Sequence, residues 1–346
     1  ILKNFFKYFL CFKKENFQKR NLFLKIIIFL NYKSYLKNFI KMNNFEVIVF
    51  EENYPISTDA TCLAANEIKK KTVSIQYSNM GNISVPMIAL CDLQITFSND
   101  FKKMYSFEDF RPKNFYVAGD IFISNNLELL SRSQKIKEKF YNNGVNFIIC
   151  YFDERIDYSK LGNNSIKSNL EEVDKLLSFV LNNKDIGLVT KSQFIRYSLS
   201  RIYPLNKNLK KLDKLGRYIE LEKGLLNVGR NDILPIEPAL VSDICIAQKY
   251  GATAGLNSAI VGKKTILLNR HGYKTEHDNI YNHSRHTICY DNISDALIDI
   301  KNLKDKNKTN VGNWDEILNY FSSTREFNAR DRVMNKICDL IKEGNY

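Results

Sequence analysis

The sequence predicts an α/β protein with two Rossmann-like domains facing across a cleft, each a parallel sheet with crossover helices, and C-terminal helices to close the chain. Three observations predict it. From about residue 45 onward, short apolar runs alternate with longer amphipathic ones, the rhythm of parallel strands joined by helices. The alternation pauses at a polar, lysine-rich helical stretch, residues 131–144, and then restarts. With 346 residues, 44% of them apolar, the chain can bury two cores of ordinary size.

In the first domain, residues 45–140, strands are expected at 45–50, 72–76, 93–97 and 115–118, with helices at 58–70 and, more briefly, 100–105. Turn signals separate them, among them Asn53-Tyr54-Pro55, Arg111-Pro112 and Gly119-Asp120. In the second domain, residues 141–313, strands are expected at 146–152, 186–190, 218–221, 244–248, 265–268 and 287–290, with a helix at 166–181. That is the strand complement of one doubly wound unit. Residues 314–346 carry Ile317, Leu318, Phe321, Val333, Ile337, Leu340 and Ile341 at helical spacing and read as one or two helices.

Residues 1–44 stand apart. Ten lysines and arginines oppose a single acid, Glu15, through residue 42, which places +9 of the formal +13 there. Aromatic and aliphatic residues interleave with them, so the segment reads either as amphipathic helices lying on an anionic membrane surface or as ordinary helices with solvated lysines. Its longest charge-free apolar run, residues 26–30, is far short of the roughly 20 residues that span a bilayer. Lysines break the apolar stretch and no small-residue cleavage site follows, so a secretory signal fits poorly. A cytoplasmic protein, at most peripheral on the inner face of the membrane, is expected. The chain opens on Ile1, so its true beginning is expected upstream. Seven scattered cysteines without a Cys-x-x-Cys pair read as buried small hydrophobes in a reducing compartment. No helix-turn-helix, zinc-finger or RNP motif appears, and no nucleic-acid partner is expected.

Ligands of open parallel sheets bind beyond the carboxyl ends of the strands. In the second domain those positions hold the cations Arg155, Lys191 and Arg270, together with residues 249–253. Cations, small residues and a glycine turn suit a phosphorylated ligand. The most informative stretch is 242–266, where a strand, the turn Tyr250-Gly251-Ala252-Thr253-Ala254-Gly255, a short alanine-containing helix, the stop Gly262 and a second strand follow in order. Gly251 and Ala252 let the backbone approach closely, and the helix-start amides with the Thr253 hydroxyl suit a diphosphate. Small residues also permit tight helix-on-sheet packing. Lys191 at another strand end and Glu237-Pro238 just upstream favour phosphate.

This stretch resembles the signature of GT-B glycosyltransferases of bacterial capsule and surface-polysaccharide synthesis, in which small-Thr-x-Gly-x-Glu-Ala follows a strand and Gly-Lys-Pro precedes the next. The resemblance implies an N-terminal acceptor domain, a C-terminal nucleotide-sugar domain, a nucleotide-sugar donor and a glycan or lipid-linked acceptor. It implies that Gly251, Ala252 and Thr253 hold the diphosphate, that Lys191 pairs with it and that Glu237 approaches the nucleoside or sugar. Two positions depart from it. Asn257 stands where a Glu often takes the ribose hydroxyls, and Lys264 replaces the proline. An amide offers one acceptor oxygen where a carboxylate offers two, so the nucleoside contact and the nucleotide stay open. Residues 51–60 are similar to the segment where an acceptor-domain strand ends near the cleft.

Sugar transfer with inversion needs a base, and either stereochemistry needs stabilisation of the departing diphosphate. Glu52 and Asp59 are the best-placed carboxylates for the first task, though each also fits a turn or helix-capping role. His271, His277, His283 and His286 cluster in one loop, with spacings of 6, 6 and 3 that match no familiar zinc set. With Arg270, Lys274 and Arg285 beside them, the loop reads as anion-facing, and no metal or other cofactor is expected. Three alternatives stand beside transfer: a polyol-phosphate transferase or sugar-nucleotide epimerase on the same fold, an inactive scaffold homologue, and a basic RNA-binding protein.

Overall fold

A computed structural model of the chain describes residues 17–51, 56–82, 90–105, 111–123, 127–153, 166–195, 198–202, 206–223, 232–250, 252–285, 287–307, 309–324 and 328–343. After the helix α1 (Phe17–Met42) come β1 (Val47–Glu51), α2 (Ile56–Glu67), β2 (Lys71–Ile75), β3 (Leu93–Thr96), a 3-10 helix (Asp100–Tyr105) and β4 (Asn114–Val117). The helix α3 (Leu127–Asn142) leads to β5 (Phe147–Asp153), α4 (Ile166–Asn182), β6 (Ile186–Ser192), α5 (Leu199–Ile202), α6 (Lys207–Lys214) and β7 (Tyr218–Glu220). Then follow α7 (Ile236–Val241), β8 (Ile244–Gln248), α8 (Thr253–Ile260), β9 (Lys264–Leu268), α9 (Asp278–His283) and β10 (Cys289–Tyr290). The chain closes with α10 (Ile293–Lys304), α11 (Leu318–Phe321) and α12 (Ala329–Glu343).

The strands form two sheets. The first runs β1-β2-β3-β4 and the second β10-β9-β8-β5-β6-β7, with parallel pairing throughout both. In the second sheet the chain starts centrally at β5, winds out to β7, then returns to β8 on the other side of β5. That reversal opens a crevice between the carboxyl ends of β5 and β8. Helices cover both faces, so β5 and β6 are buried along nearly their whole length, and β5 reads as a continuous apolar run up to Phe152.

On one face α4 presents Val173, Leu176, Leu177 and Val180 to Ile149, Tyr151 and Leu188. On the other, α7 and α8 cover Cys150, Val189, Cys245 and Leu267. Gly255 sets how near α8 can lie. A Cβ there would fall 2.8 Å from Leu267 Cδ2 and 3.2 Å from Ala247 Cβ. Gly255→Val is therefore expected to overpack this contact and cost about 2 kcal/mol, read as a lower urea midpoint.

The second core does not stop at its own sheet. Met80, Phe97, Phe101 and Ile123, from the loops beyond β2, β3 and β4, join Leu256, Tyr281, Trp314 and Phe321 in one buried cluster. The two sheets thus share an apolar floor. α3 carries the chain from the first sheet to the second, and α12 brings it back, packing Val333, Ile337 and Leu340 on Val73, Ile75, Leu93 and Ile95. Arg332 Nε donates to the Ala118 carbonyl at 3.0 Å and Arg330 Nε to that of Ile121 at 2.8 Å, which fixes α12 beside the end of β4.

Within the described part of the N-terminal segment, residues 17–42 form a single helix, with neither glycine nor proline to interrupt it. Ile40 packs with Ala64 and Ala65 of α2, joined by Leu36 and Ile68.

Candidate functional site

The carboxyl ends of the two sheets meet, and hydrogen bonds join their loops. The loop after β2 reaches the second domain at several points, three of them through its backbone. The Asn79 N–H donates to Thr253 Oγ1 at 2.9 Å, the Glu276 N–H to the Gly81 carbonyl at 2.8 Å, and His277 Nε2 to the Met80 carbonyl at 2.5 Å. The loop after β4 adds another, where the Asn257 amide donates to the Asp120 carboxylate. Thr253 and Asn257 are one turn apart on α8, so a single face of that helix touches both first-domain loops.

Ala252 is the buried N-cap of α8, and no side chain caps this end of the helix. Uncapped amides and the helix dipole concentrate positive potential there. Tyr250, 52% exposed, precedes the turn and meets Tyr273 edge-on at 4.9 Å. Lys191, nearly buried at the end of β6, shares the sheet face of Val189 and Cys150, the face on which α8 lies. Lys249, at the end of β8, pairs with Asp278 at 2.7 Å.

Two groups in the cleft have strongly displaced acidities. Asp120 is 3% exposed, and burial pushes its carboxyl up to about 7, against the Phe122 N–H at 2.8 Å and the Asn257 amide, both of which favour the ionised form. Near neutrality both its protonation states are populated, as a proton-transfer group requires. His277 moves the other way. Burial among Phe101, Tyr281, Tyr320 and Phe321 pushes the imidazole down to about 4, so it is neutral and serves as a tie between domains. Its Nδ1 is buried without a hydrogen-bond partner.

The other expected site residues are distributed as follows. Arg270 donates to the buried Glu172 of α4 at 3.2 Å, and the same carboxylate accepts from Tyr151 at 2.7 Å and Gln248 at 2.8 Å. Glu237, buried on α7, accepts from Arg132 of α3 at 2.9 Å. Asp59 lies half-buried in the first turn of α2, its pKa raised by burial and its Oδ1 without a hydrogen-bond partner. Glu52, Arg155, Gly251 and His286 lie outside the described residues. Among the described residues no group of three or more His, Cys, Asp and Glu side chains is placed to hold a metal ion. Because three donors converge on Glu172, Glu172→Ala is expected to cost about 3 kcal/mol by stranding a buried guanidinium, measured by chemical denaturation.

No protein-family model and no curated protein matches the chain. Solved structures do. The putative UDP-N-acetylglucosamine 2-epimerase of Listeria monocytogenes aligns over 92% of this chain and 79% of its own, with a TM-score of 0.59 at 13% identity. The fold is GT-B. S. aureus MnaA, solved with UDP, shares it over 90% of this chain and 80% of its own, with a TM-score of 0.52 at 15% identity. So does the wall teichoic acid polymerase TagF, over 87% and 74%, with a TM-score of 0.52 at 12% identity. Within GT-B architecture the contacts of Asn79, Asp120 and His277 are the seam between the two Rossmann-like domains.

Proposed function

We propose that this protein is an enzyme that transfers a sugar from a uridine-diphosphate donor to a glycan or lipid-linked acceptor. The observation that carries the reading is the amino end of α8, without a side-chain cap, at the strand-order reversal and facing the other domain. The donor diphosphate lies there against the amides of residues 251–253 and the Thr253 hydroxyl, with Lys191, Arg155 and Arg270 supplying positive charge as it departs. Glu237, paired with Arg132, is the expected contact to the nucleoside or sugar. Asp59, with a raised pKa and a carboxylate oxygen not otherwise engaged, is the candidate base, with Glu52 beside it in sequence. Asn257 and Asp120 close the nucleoside side of the cleft. The UDP in the structure of MnaA, which shares the fold, supports uridine as the nucleoside.

A second reading, sugar-nucleotide epimerisation, is favoured by Asp120, a cleft carboxyl able to give and take a proton near neutrality, and by the Listeria neighbour's name. One experiment separates the two. The protein is incubated with UDP-N-acetylglucosamine in heavy water, with and without glycan acceptors. Acceptor-dependent release of UDP, reduced about a hundredfold or more in Asp59→Asn, supports transfer. Deuterium incorporation at the sugar with no acceptor, lost in Asp120→Asn, supports epimerisation. No turnover under either condition, with UDP nonetheless bound, leaves the inactive scaffold.

A further inference from the structure

Among the described residues, one face of α1 is left uncovered. Ile28, Tyr32, Tyr35, Phe39 and Met42 recur at steps of four, three, four and three, so they fall along one side of the helix. All five are exposed, Tyr35 at 62% and Met42 at 84%. Their rings form a ladder, with centroids 6.4 Å apart for Tyr32 and Tyr35 and 6.3 Å for Tyr35 and Phe39, continued by Phe45 at 5.8 Å from Phe39. A different side of the helix holds it to the body. There Leu36 and Ile40 pack on α2, and Lys33 and Lys37 reach Glu67 at 2.5 and 2.8 Å. The ladder is therefore presented outward on an anchored helix. Exposed apolar stripes of this kind mark a contact surface.

Charge decides what covers it. α1 contains Lys19, Arg20, Lys25, Lys33, Lys37 and Lys41 and no acid. A second copy of this chain would set +9 against +9 through residue 42. A surface with acyl chains beneath anionic headgroups accepts both features, rings and aliphatic side chains at the boundary and lysines at the phosphates. We propose that α1 lies in the plane of an anionic lipid bilayer with the Ile28-to-Met42 stripe inserted. No helix among the described residues is long and apolar enough to cross a membrane. The helix thus lies on the bilayer, an assignment independent of the proposed sugar chemistry.

Vesicle flotation tests it with the full chain. Vesicles of phosphatidylcholine alone are compared with vesicles that also contain phosphatidylglycerol. The protein is expected to float with the anionic vesicles only, and less as salt screens the headgroups. Tyr35→Asp with Phe39→Asp, both at exposed positions, is expected to keep the melting temperature and lose about tenfold or more in partitioning. Lys25→Glu with Lys41→Glu is expected to lose about fivefold for each cation removed. Absence of flotation, or flotation unchanged in both double variants, overturns the proposal. So does a concentration-dependent dimer in sedimentation velocity that the aromatic double variant abolishes, which would assign the stripe to a second copy.

Discussion

UDP is expected to raise the melting temperature of the protein by several degrees, and Thr253→Arg to abolish the shift entirely. A ligand at about 100 times its dissociation constant stabilises the native state by about 2.7 kcal/mol. For a chain of this size each kcal/mol is worth roughly 1 to 2 °C. An arginine at the first residue of α8 fills the space before the helix amides and removes the hydroxyl that accepts from Asn79. Its effect on the fold is controlled by Thr253→Val, which removes the same hydrogen bond, costs about 1 kcal/mol and keeps most of the UDP shift. Lys191→Glu puts a negative charge beside the expected diphosphate and is expected to abolish the shift as well. A full shift in Thr253→Arg would move the donor site elsewhere. No shift with any nucleoside diphosphate in the parent protein would end the nucleotide-sugar reading.

The second large effect is a pH dependence set by two buried groups pulling in opposite directions. Asp120 has a folded pKa of about 7 against about 3.9 in an unfolded chain. The native state therefore binds more protons between these values, and the stability Asp120 contributes is lost as pH rises through that window. His277, at about 4 when folded against about 6.5 unfolded, contributes stability above its unfolded value that is lost as pH falls towards 4. Each term is on the order of 3 to 4 kcal/mol at full extent. They largely offset one another between about pH 4 and 6.5, and Asp120 alone acts from there to pH 7. Asp120→Asn removes one term, so its stability is expected to climb steeply with pH up to about 6.5 and then level off, as urea denaturation across that range would record. A variant profile parallel to that of the parent would mean that Asp120 is not the buried acid the cleft makes it. Asp120→Ala, which also leaves the Asn257 amide stranded at the seam, is expected to be less stable than Asp120→Asn at every pH.

How legible these features were in the sequence follows from the distance over which each is determined. The central strands were legible because burial on both faces writes them largely in apolar residues, most plainly at residues 147–152. The order of the six strands was not legible, because alternation implies parallel strands with crossovers and not which strand lies beside which. α10 went unread although its signals are local, with Asn292 capping the Asp295 amide and Ile293, Ala296, Leu297 and Ile300 on one face. The seam was not legible. Thr253 meets Asn79, Asn257 meets Asp120 and His277 meets Met80 only through the packing of one domain on the other. Asp120 itself read as half of a Gly-Asp turn signal, and nothing local reports that its carboxyl is desolvated. One available rule would have found it. Applied to the first sheet as it was to the second, the strand-end criterion picks out Asn79 and Asp120 together. Arg270 illustrates the converse, since its strand-end position was plain while its partner Glu172 sits in the middle of a helix whose spacing reports only packing.

The return of α12 onto the first sheet bears on how the protein is made. Synthesis completes β1 to β4 early, but the helix that covers Val73, Ile75, Leu93 and Ile95 follows every strand of the second sheet in the chain. The second sheet, from residue 147 to 290, has all its strands before then. The usual order in which amino-terminal domains mature first is thereby reversed: the strands of the later-translated sheet are all made before the earlier sheet receives the helix that covers its apolar face.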